Sequence, residues 1–171
     1  GLGDVYKRHV QAVIMFMIMA GGLGFMVWVE LAEYRKKRRL SLHAKVVLQF
    51  SAIFWVGGAV LLALLEWSNP RTMGGLSVPG KIMAALFQSV STRTAGMNTI
   101  DLAACSPISK LLMSVLQFIG AAPGSTGGGV KVTTFAVLIL TIRSVAQGRD
   151  DCVIGGHHIE SKTVSYTHLT L

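Results

Sequence analysis

The sequence predicts an all-α integral membrane protein, and three observations lead to that class. Hydrophobic residues make up 51% of the 171 residues, charged residues only 14%, and the mean hydropathy is +0.56. Two apolar segments of roughly twenty residues, each long enough to cross a bilayer as a helix, flank a basic run. A third apolar stretch, about Ile108 to Ile142, contains the glycine-rich run Pro123 to Lys131. The predicted order is a spanning helix, a re-entrant helix and a broken helix.

Membrane topology explains the net charge of +8 better than nucleic-acid binding does. The basic residues cluster beside apolar runs and are not interleaved with aromatic residues. Short basic loops between spans are retained in the cytoplasm. Cys105 and Cys152 lie in different predicted loops without a paired motif, so the sequence indicates neither a metal site nor a disulfide.

Residues 1–30 are predicted to end a preceding repeat as a transmembrane helix, and residues 31–45 to form a basic cytoplasmic loop. The apolar segment runs from about Val10 to Val29, and the run Tyr34 to Arg39 follows it. Three glycines near the end of this segment would let a neighbouring helix approach closely: Gly21, Gly22 and Gly24.

Residues 46–145 are predicted to form one complete repeat. An uncharged span covers about Val46 to Leu65. The stretch from about Lys81 to Val90 is too short to span, and the polar run Ser91 to Thr99 follows it, which favours a re-entrant segment. A continuous helix from 108 to 142 would be about 50 Å long, more than a hydrocarbon core of about 30 Å, so Pro123 and its glycines are expected to break it.

We expect the chain to be truncated at both ends. It begins without methionine, and residues 146–163 are interpreted as a cytoplasmic linker to a missing repeat. Residues 164–171 resemble one translated frame of a transposon-type sequencing adapter and are excluded from the fold prediction.

Two motifs occur in a defined order, Ser91-Thr92-Arg93-Thr94-Ala95-Gly96-Met97-Asn98-Thr99 and then Gly120 to Lys131. Together they resemble the third repeat of the Trk/Ktr/HKT superfamily of potassium transporters, in its Ktr- and Trk-like pore subunits. Gly22 to Phe25 and Ser41 to Lys45 resemble the junction with the second repeat. In that family four membrane-pore-membrane repeats surround one pore, which implies that this chain is a fragment with one complete repeat.

The first motif has the chemistry of an ion selectivity filter. A potassium ion that leaves water needs oxygen ligands, which inward-facing backbone carbonyls can supply, and a glycine permits the required turn. The predicted filter residues are Thr94, Ala95, Gly96, Met97 and Asn98. Met97 stands where the superfamily usually has phenylalanine, which alters the packing behind the filter and not the backbone.

The second motif resembles the intramembrane loop that acts as the gate beneath the filter in this family. Its glycines rearrange at little steric cost, and its hydroxyls can satisfy freed backbone groups. The predicted gating residues are Gly124, Ser125, Thr126, Gly127, Gly128, Gly129 and Lys131. A lysine at membrane depth needs a partner or a cavity, so Lys131 is a functional candidate unless its amine reaches the interface.

Other chemistries fit the sequence less well. Val130 separates Gly129 from Lys131, which excludes a phosphate-binding Walker loop. An intramembrane serine hydrolase with Ser125 as nucleophile remains the alternative function, but every histidine is predicted outside the hydrocarbon. The pair His157 and His158 lacks suitably spaced further ligands for a metal.

The resemblance implies potassium uptake across the bacterial plasma membrane by a multi-pass protein that is not an enzyme. It further implies K⁺ as substrate, Na⁺ as a candidate coupling ion, no bound cofactor and no resident metal. The implied partners are membrane lipid, a second pore subunit in a homodimer and a cytosolic nucleotide-binding regulatory ring. Neither the coupling ion nor the choice between Ktr-like and Trk-like subtypes follows from these residues.

The charge distribution predicts that the Arg35 to Arg39 run and the Arg143 to Arg149 region share the cytoplasmic face, and that Ser68 to Pro79 faces outward. An impermeant thiol reagent applied to intact cells should therefore label Thr72→Cys and leave Lys37→Cys unmodified. Labelling at position 37 with silence at position 72 contradicts this topology.

Overall fold

The computed structural model describes residues 2–147, 152–154 and 157–159. Over residues 2–147 the regular elements are all helices, as the sequence predicts. In chain order they are α1 (Leu2–Gly22), α2 (Phe25–Lys37), α3 (Leu42–Glu66), α4 (Val78–Thr94), α5 (Pro107–Phe118) and α6 (Val132–Ala146).

Helix α4 packs against α1, α3 and α5, and α3 also contacts α2 and α6. One buried apolar cluster joins α3 to α5 through Leu62 and Met113, with small residues of α4 between them. A second cluster joins α2, α3 and the break after α5, and contains Val27 and Ala122. Because α3 contributes residues to both clusters, it sets the position of α4 along the α3 axis relative to the breaks in the other helices.

Helix α3 is long and apolar enough to cross a membrane, and α1 with α2 passes the same test as one bent pair. Large apolar side chains on α3 remain exposed, among them Ile53, Val60 and Leu64. An exposed apolar face of this kind suits contact with lipid or with a neighbouring repeat.

The predicted single helix from Val10 to Val29 is wrong, because the chain bends by 95° between α1 and α2. Gly24 lies at the bend with φ +80°, where a side chain is strained, and a Cβ there would lie 2.5 Å from the Pro123 carbonyl oxygen. The absence of a side chain at Gly24 therefore makes room for the broken segment after α5. The backbone that lies closest to Gly24 belongs to this segment and not to a neighbouring helix.

The bend and the break after α5 satisfy each other's backbone groups. The amide of Ala122 donates to the Gly22 carbonyl at 3.0 Å, and the amide of Phe25 donates to the Gly124 carbonyl at 3.3 Å. Without such partners these groups would be orphaned at membrane depth, at several kcal/mol each.

The predicted basic loop at 31–45 is also shorter in the structure, which leaves only residues 38–41 between α2 and α3. An ion pair one helical turn apart, Lys37 to Glu33 at 2.6 Å, continues α2 through the basic run. Ser41 then caps α3 by accepting from the Ala44 amide, and its own amide and hydroxyl donate to Glu30.

The re-entrant helix is longer than the predicted 81–90. It begins at Val78, because Pro79 is tolerated in a first helical turn, and it continues to Thr94. The polar run does not end it, since the Thr92 hydroxyl donates to the Gln88 carbonyl within the helix at 2.6 Å. Thr94 is therefore the last helical residue and not part of an extended strand.

The third apolar stretch breaks as predicted, but the break begins at Ile119 and so precedes Pro123. Two short strands, Cys152–Ile154 and His157–Ile159, pair antiparallel within the segment expected to be a linker. They are the one departure from helix among the described elements. Of the segment 146–163, the structure describes residues 146 and 147 and these two strands. The other residues of the segment and the adapter-like residues 164–171 lie outside the described residues.

Glu66 is a buried carboxylate that ties the end of α3 to the start of α5. One carboxylate oxygen accepts from the Ser106 amide at 2.8 Å and the Ser109 hydroxyl at 2.6 Å. The other accepts from Asn69 and Thr72, both at 2.7 Å. A fully buried carboxylate is stable only when its lone pairs are satisfied in this way.

Cys105 lies beside this carboxylate and is buried. Burial, and secondarily the charge of Glu66, raise the pKa of the Cys105 thiol. The thiol therefore stays protonated and acts as a small packing group of the cluster that contains Leu62 and Met113.

Replacing Glu66 by glutamine should destabilise the protein by about 3 kcal/mol, because the amide N–H group would face two buried donors. The matched control is Glu33→Gln, which removes an exposed ion pair and should cost no more than about 0.5 kcal/mol. Thermal unfolding in detergent measures both. Equal effects of the two variants contradict a structural role for the Glu66 carboxylate.

Candidate pore site

The predicted filter begins where α4 ends. The amides of Ala95 and Gly96 both donate to the Ser91 carbonyl at 2.9 Å, which closes the helix. Gly96 follows with φ +69°, and an added Cβ would meet no atom within 4 Å. Glycine is thus required here by backbone conformation and not by lack of space.

All five predicted filter residues are exposed: Thr94, Ala95, Gly96, Met97 and Asn98. Within the described part of the chain, the carbonyls of Thr94, Ala95 and Gly96 accept no hydrogen bond. The Met97 carbonyl differs, because it accepts from the buried Ser91 hydroxyl at 2.6 Å. Three consecutive carbonyls are therefore free for an external ligand, and the fourth is held by the helix.

Gln88 braces the segment from behind. Its side chain is 1% exposed, and its amide nitrogen lies 3.3 Å from the Asn98 side-chain oxygen and 3.3 Å from the Thr92 hydroxyl. Asn98 is thus connected to α4 through the Gln88 side chain. A cavity of about 550 Å³ opens beside these residues, lined also by Gly96, Lys110 and Gln117.

The predicted gating residues lie in the break between α5 and α6. Its neck is closed by backbone bonds, since the Gly120 amide donates to the Val130 carbonyl at 2.9 Å and the Val130 amide donates to the Phe118 carbonyl at 3.0 Å. Gly124 and Gly129, near the two ends of the loop, have φ values of +70° and +78°. Both turns therefore need glycine.

Most polar groups of the loop are satisfied from within it. The Ser125 hydroxyl donates to the Ala122 carbonyl at 2.6 Å, and the half-buried Lys131 amine donates to the Gly127 carbonyl at 2.7 Å. Thr126 lies against α1, its hydroxyl 3.5 Å from a Cβ built at Gly21, and Gly128 has open space. Among the described residues the partner of the Lys131 amine is thus a carbonyl of the same loop and not a carboxylate.

The loop meets the base of the filter. A Cβ at Gly127 would lie 2.6 Å from the Thr94 methyl group and 2.5 Å from Ala121. A gap of only about 10 Å³ remains nearby, bordered by Thr94, Ala121 and Val90. The structure therefore brings the two predicted motifs into direct packing contact.

The remaining sequence candidates gain no catalytic geometry. The Ser125 hydroxyl donates to a carbonyl and not to a histidine base. In the described residues no group of three or more histidine, cysteine or carboxylate side chains could hold a metal. The side chains of His157 and His158 lie outside the described residues.

Sequence reasoning assigned no separate role to four buried polar residues of α4, namely Gln88, Ser89, Ser91 and Arg93. Gln88 and Ser91 lie on one helical face, three residues apart, next to apolar positions, which is a pattern that ordinary amphipathic helices share. Arg93 carried a clearer signal, because a charge within an apolar repeat marks a functional position by default.

Comparison with known proteins identifies the family. The sequence matches the TrkH family, described as cation transport proteins, over residues 5–169, which extends into the segment interpreted as adapter sequence. It is 44% identical over 133 residues to the Ktr system potassium uptake protein B of Vibrio alginolyticus, covering 77% of this chain and 29% of that protein. The protein of the same name from Bacillus subtilis is 34% identical over 145 residues, covering 85% and 33%.

The fold is also that of a solved relative. The crystal structure of the potassium transporter TrkH from Vibrio parahaemolyticus matches with a TM-score of 0.74 at 22% identity, over 92% of this chain and 35% of that one. At this identity the likeness shows the fold alone. The chain spans about a third of the length of the curated relatives it matches. These relatives are named as transporters and not as enzymes, and the family match covers almost the whole chain. The chain therefore belongs to the TrkH family of cation transport proteins, which are integral proteins of the cell membrane.

Proposed function

We propose that this chain forms one repeat of the pore of a potassium uptake protein. In this proposal K⁺ crosses the membrane past a ring of backbone carbonyls and then past the glycine-rich loop. One observation carries it: the free carbonyls of Thr94 to Gly96 lie directly beside a loop that packs on Thr94. The names of the relatives at 34% and 44% identity support K⁺ as the ion.

The carbonyl site suits a cation that must be dehydrated and released again. Neutral carbonyl dipoles replace hydration oxygens without trapping the ion as a ring of carboxylates would. One repeat supplies one side of such a ring, so the exposed filter wall is complete only beside three further repeats. The Ser91 hydroxyl and Gln88 amide hold this wall in place from the helix side.

The loop suits a movable barrier because few bonds attach it to its surroundings. Its internal bonds, from Ser125 and Lys131, move with it. In the described residues, its backbone bonds to the bend between α1 and α2 are those to Gly22 and Phe25, and the Arg93 side chain donates to the Ile119 and Gly120 carbonyls at its neck. Displacement of the loop therefore requires only a few polar groups to find new partners, for which a water-filled pore is sufficient.

The proposal extends to the whole protein as follows. K⁺ is the substrate and Na⁺ is a candidate coupling ion, with no bound cofactor. The full protein is a homodimer in lipid, controlled by a cytosolic nucleotide-binding ring. A Ktr-type system is favoured, because the Ktr proteins named above are 34% and 44% identical, whereas the Trk system protein TrkH of Halomonas elongata is 26% identical over 132 residues.

Gly96→Ser in the full-length transporter should leave the protein folded and lower its K⁺ over Na⁺ selectivity by up to about tenfold. A serine at φ +69° is strained by about 1–2 kcal/mol and would turn a filter carbonyl to relieve the strain. Gly75→Ser is the matched control, since a Cβ there has open space and Gly75 has no positive φ. Flux of both ions into vesicles measures the ratio, and an unchanged ratio removes Gly96 from the filter.

A deletion within Gly124 to Gly129 should raise K⁺ flux per inserted molecule, because it removes the barrier and leaves the carbonyl site intact. A loop that serves only as scaffold predicts the reverse. Its loss would misplace α6 and orphan backbone groups, which lowers the yield of folded protein. Flux is therefore normalised to folded, inserted protein. A deletion variant that inserts normally and conducts no faster than the parent contradicts the gate.

A further inference from the structure

Arg93 is a buried cation in the last turn of α4, immediately before the first predicted filter residue. Its side chain is 5% exposed. The guanidinium donates to the Gly120 carbonyl at 2.5 Å and to the Ile119 carbonyl at 3.3 Å, and it lies 5.2 Å from the centre of the Phe54 ring. These contacts connect α4 to the first two residues of the break after α5.

Among the described residues, no carboxylate is within ion-pair distance of this guanidinium. Two features replace a carboxylate. The Ile119 carbonyl belongs to the residue that caps the C-terminal end of α5, where the aligned peptide dipoles place partial negative charge. The face of Phe54 adds a favourable cation–π contact.

A buried, unpaired charge is an expensive way to join two helices, since a neutral donor would satisfy the same carbonyls. A guanidinium has one property that a neutral side chain lacks here. Its planar fork can donate to two successive carbonyls at once and so fix both the position and the rotation of the segment that it holds.

The segment that Arg93 holds is the neck of the loop. Gly120 is also bonded to Val130 on the returning side of the loop. Gly127 of the same loop packs on Thr94, the residue next to Arg93. Filter base and loop neck therefore share one rigid connection, which passes through the guanidinium.

We propose that Arg93 is a positioning residue that holds the intramembrane loop in its closed position against the filter. The inference rests on the proposed gating function of the loop and adds the element that sets the loop's resting position. Loss of the fork frees the neck, so the loop spends more time displaced from Thr94 while the filter carbonyls remain in place.

The test measures K⁺ flux per inserted molecule in the full-length transporter for Arg93→Lys, Arg93→Gln and Arg93→Met. We expect resting flux to rise in that order, with the methionine variant at least about fivefold above the parent, the lower end of ordinary coupling between sites. Lysine keeps the charge and one donor group, so the lysine variant should hold the loop closed most of the time and conduct little more than the parent. Arg71→Met, which removes an exposed arginine, is the control and should match the parent.

A second measurement separates positioning from general damage to the fold. Gly128→Cys places a thiol in the loop at a site with open space around the new Cβ. Its modification rate by a water-soluble reagent should rise clearly in the Arg93→Gln background and stay close to the parent rate in the Arg93→Lys background, at unchanged K⁺ over Na⁺ selectivity. An Arg93→Gln rate equal to the parent rate overturns the proposal, and so does an Arg93→Lys rate as high as that of Arg93→Gln.

The loop deletion distinguishes this inference from the gating proposal. If the deletion raises flux, adding Arg93→Met to it should have no further effect, because residues that act through one element are not additive. A further increase overturns the assignment of Arg93 to the loop. If the deletion itself leaves flux unchanged, the gating function fails. If the deletion raises flux and Arg93→Met alone does not, only the Arg93 proposal fails.

Discussion

The structure depends on one constraint: backbone groups freed by a helix break at membrane depth must find partners within the protein. The chain breaks its helices twice, at Leu23–Gly24 and at residues 119–131, and it places the two breaks against each other. Gly22 accepts from Ala122, and Phe25 donates to Gly124. Each break thus provides hydrogen-bond partners for backbone groups of the other, and the 95° bend between α1 and α2 lies against the loop.

The same constraint explains the polar interior of α4. A helix that ends inside the membrane exposes its last carbonyls, and a following turn exposes more. The Ser91 carbonyl accepts hydrogen bonds from two amides, and the Ser91 hydroxyl donates one to the Met97 carbonyl. These bonds close the helix and start the filter turn. Arg93 satisfies the carbonyls at the end of α5 in the same layer. The carbonyls that remain unsatisfied, at Thr94 to Gly96, are those that an ion is proposed to use.

Two parts of the repeat are fixed by different chemistry. Where α3 ends and α5 begins, the Glu66 carboxylate accepts hydrogen bonds from four neutral donors. At the break after α5, the Arg93 guanidinium donates to two carbonyls. Neither charge is paired with an opposite charge in the described residues, so both rely on dipoles that only the folded backbone orients.

The sequence by itself determined the membrane class, the uncharged span over α3, the existence of a short helix before the filter motif and the break near Pro123. These follow from segment length, apolar composition and proline or glycine, which act locally. It did not predict the bend at Gly24, the extension of α4 to Thr94, or the roles of Gln88, Arg93 and Glu66. In the sequence, a glycine at a bend cannot be distinguished from a glycine at a helix contact. A buried glutamate at the end of a span likewise cannot be distinguished from one exposed at the membrane interface. Only tertiary structure decided between them, because the deciding partners lie up to about a hundred residues away along the chain, as Pro123 does from Gly24.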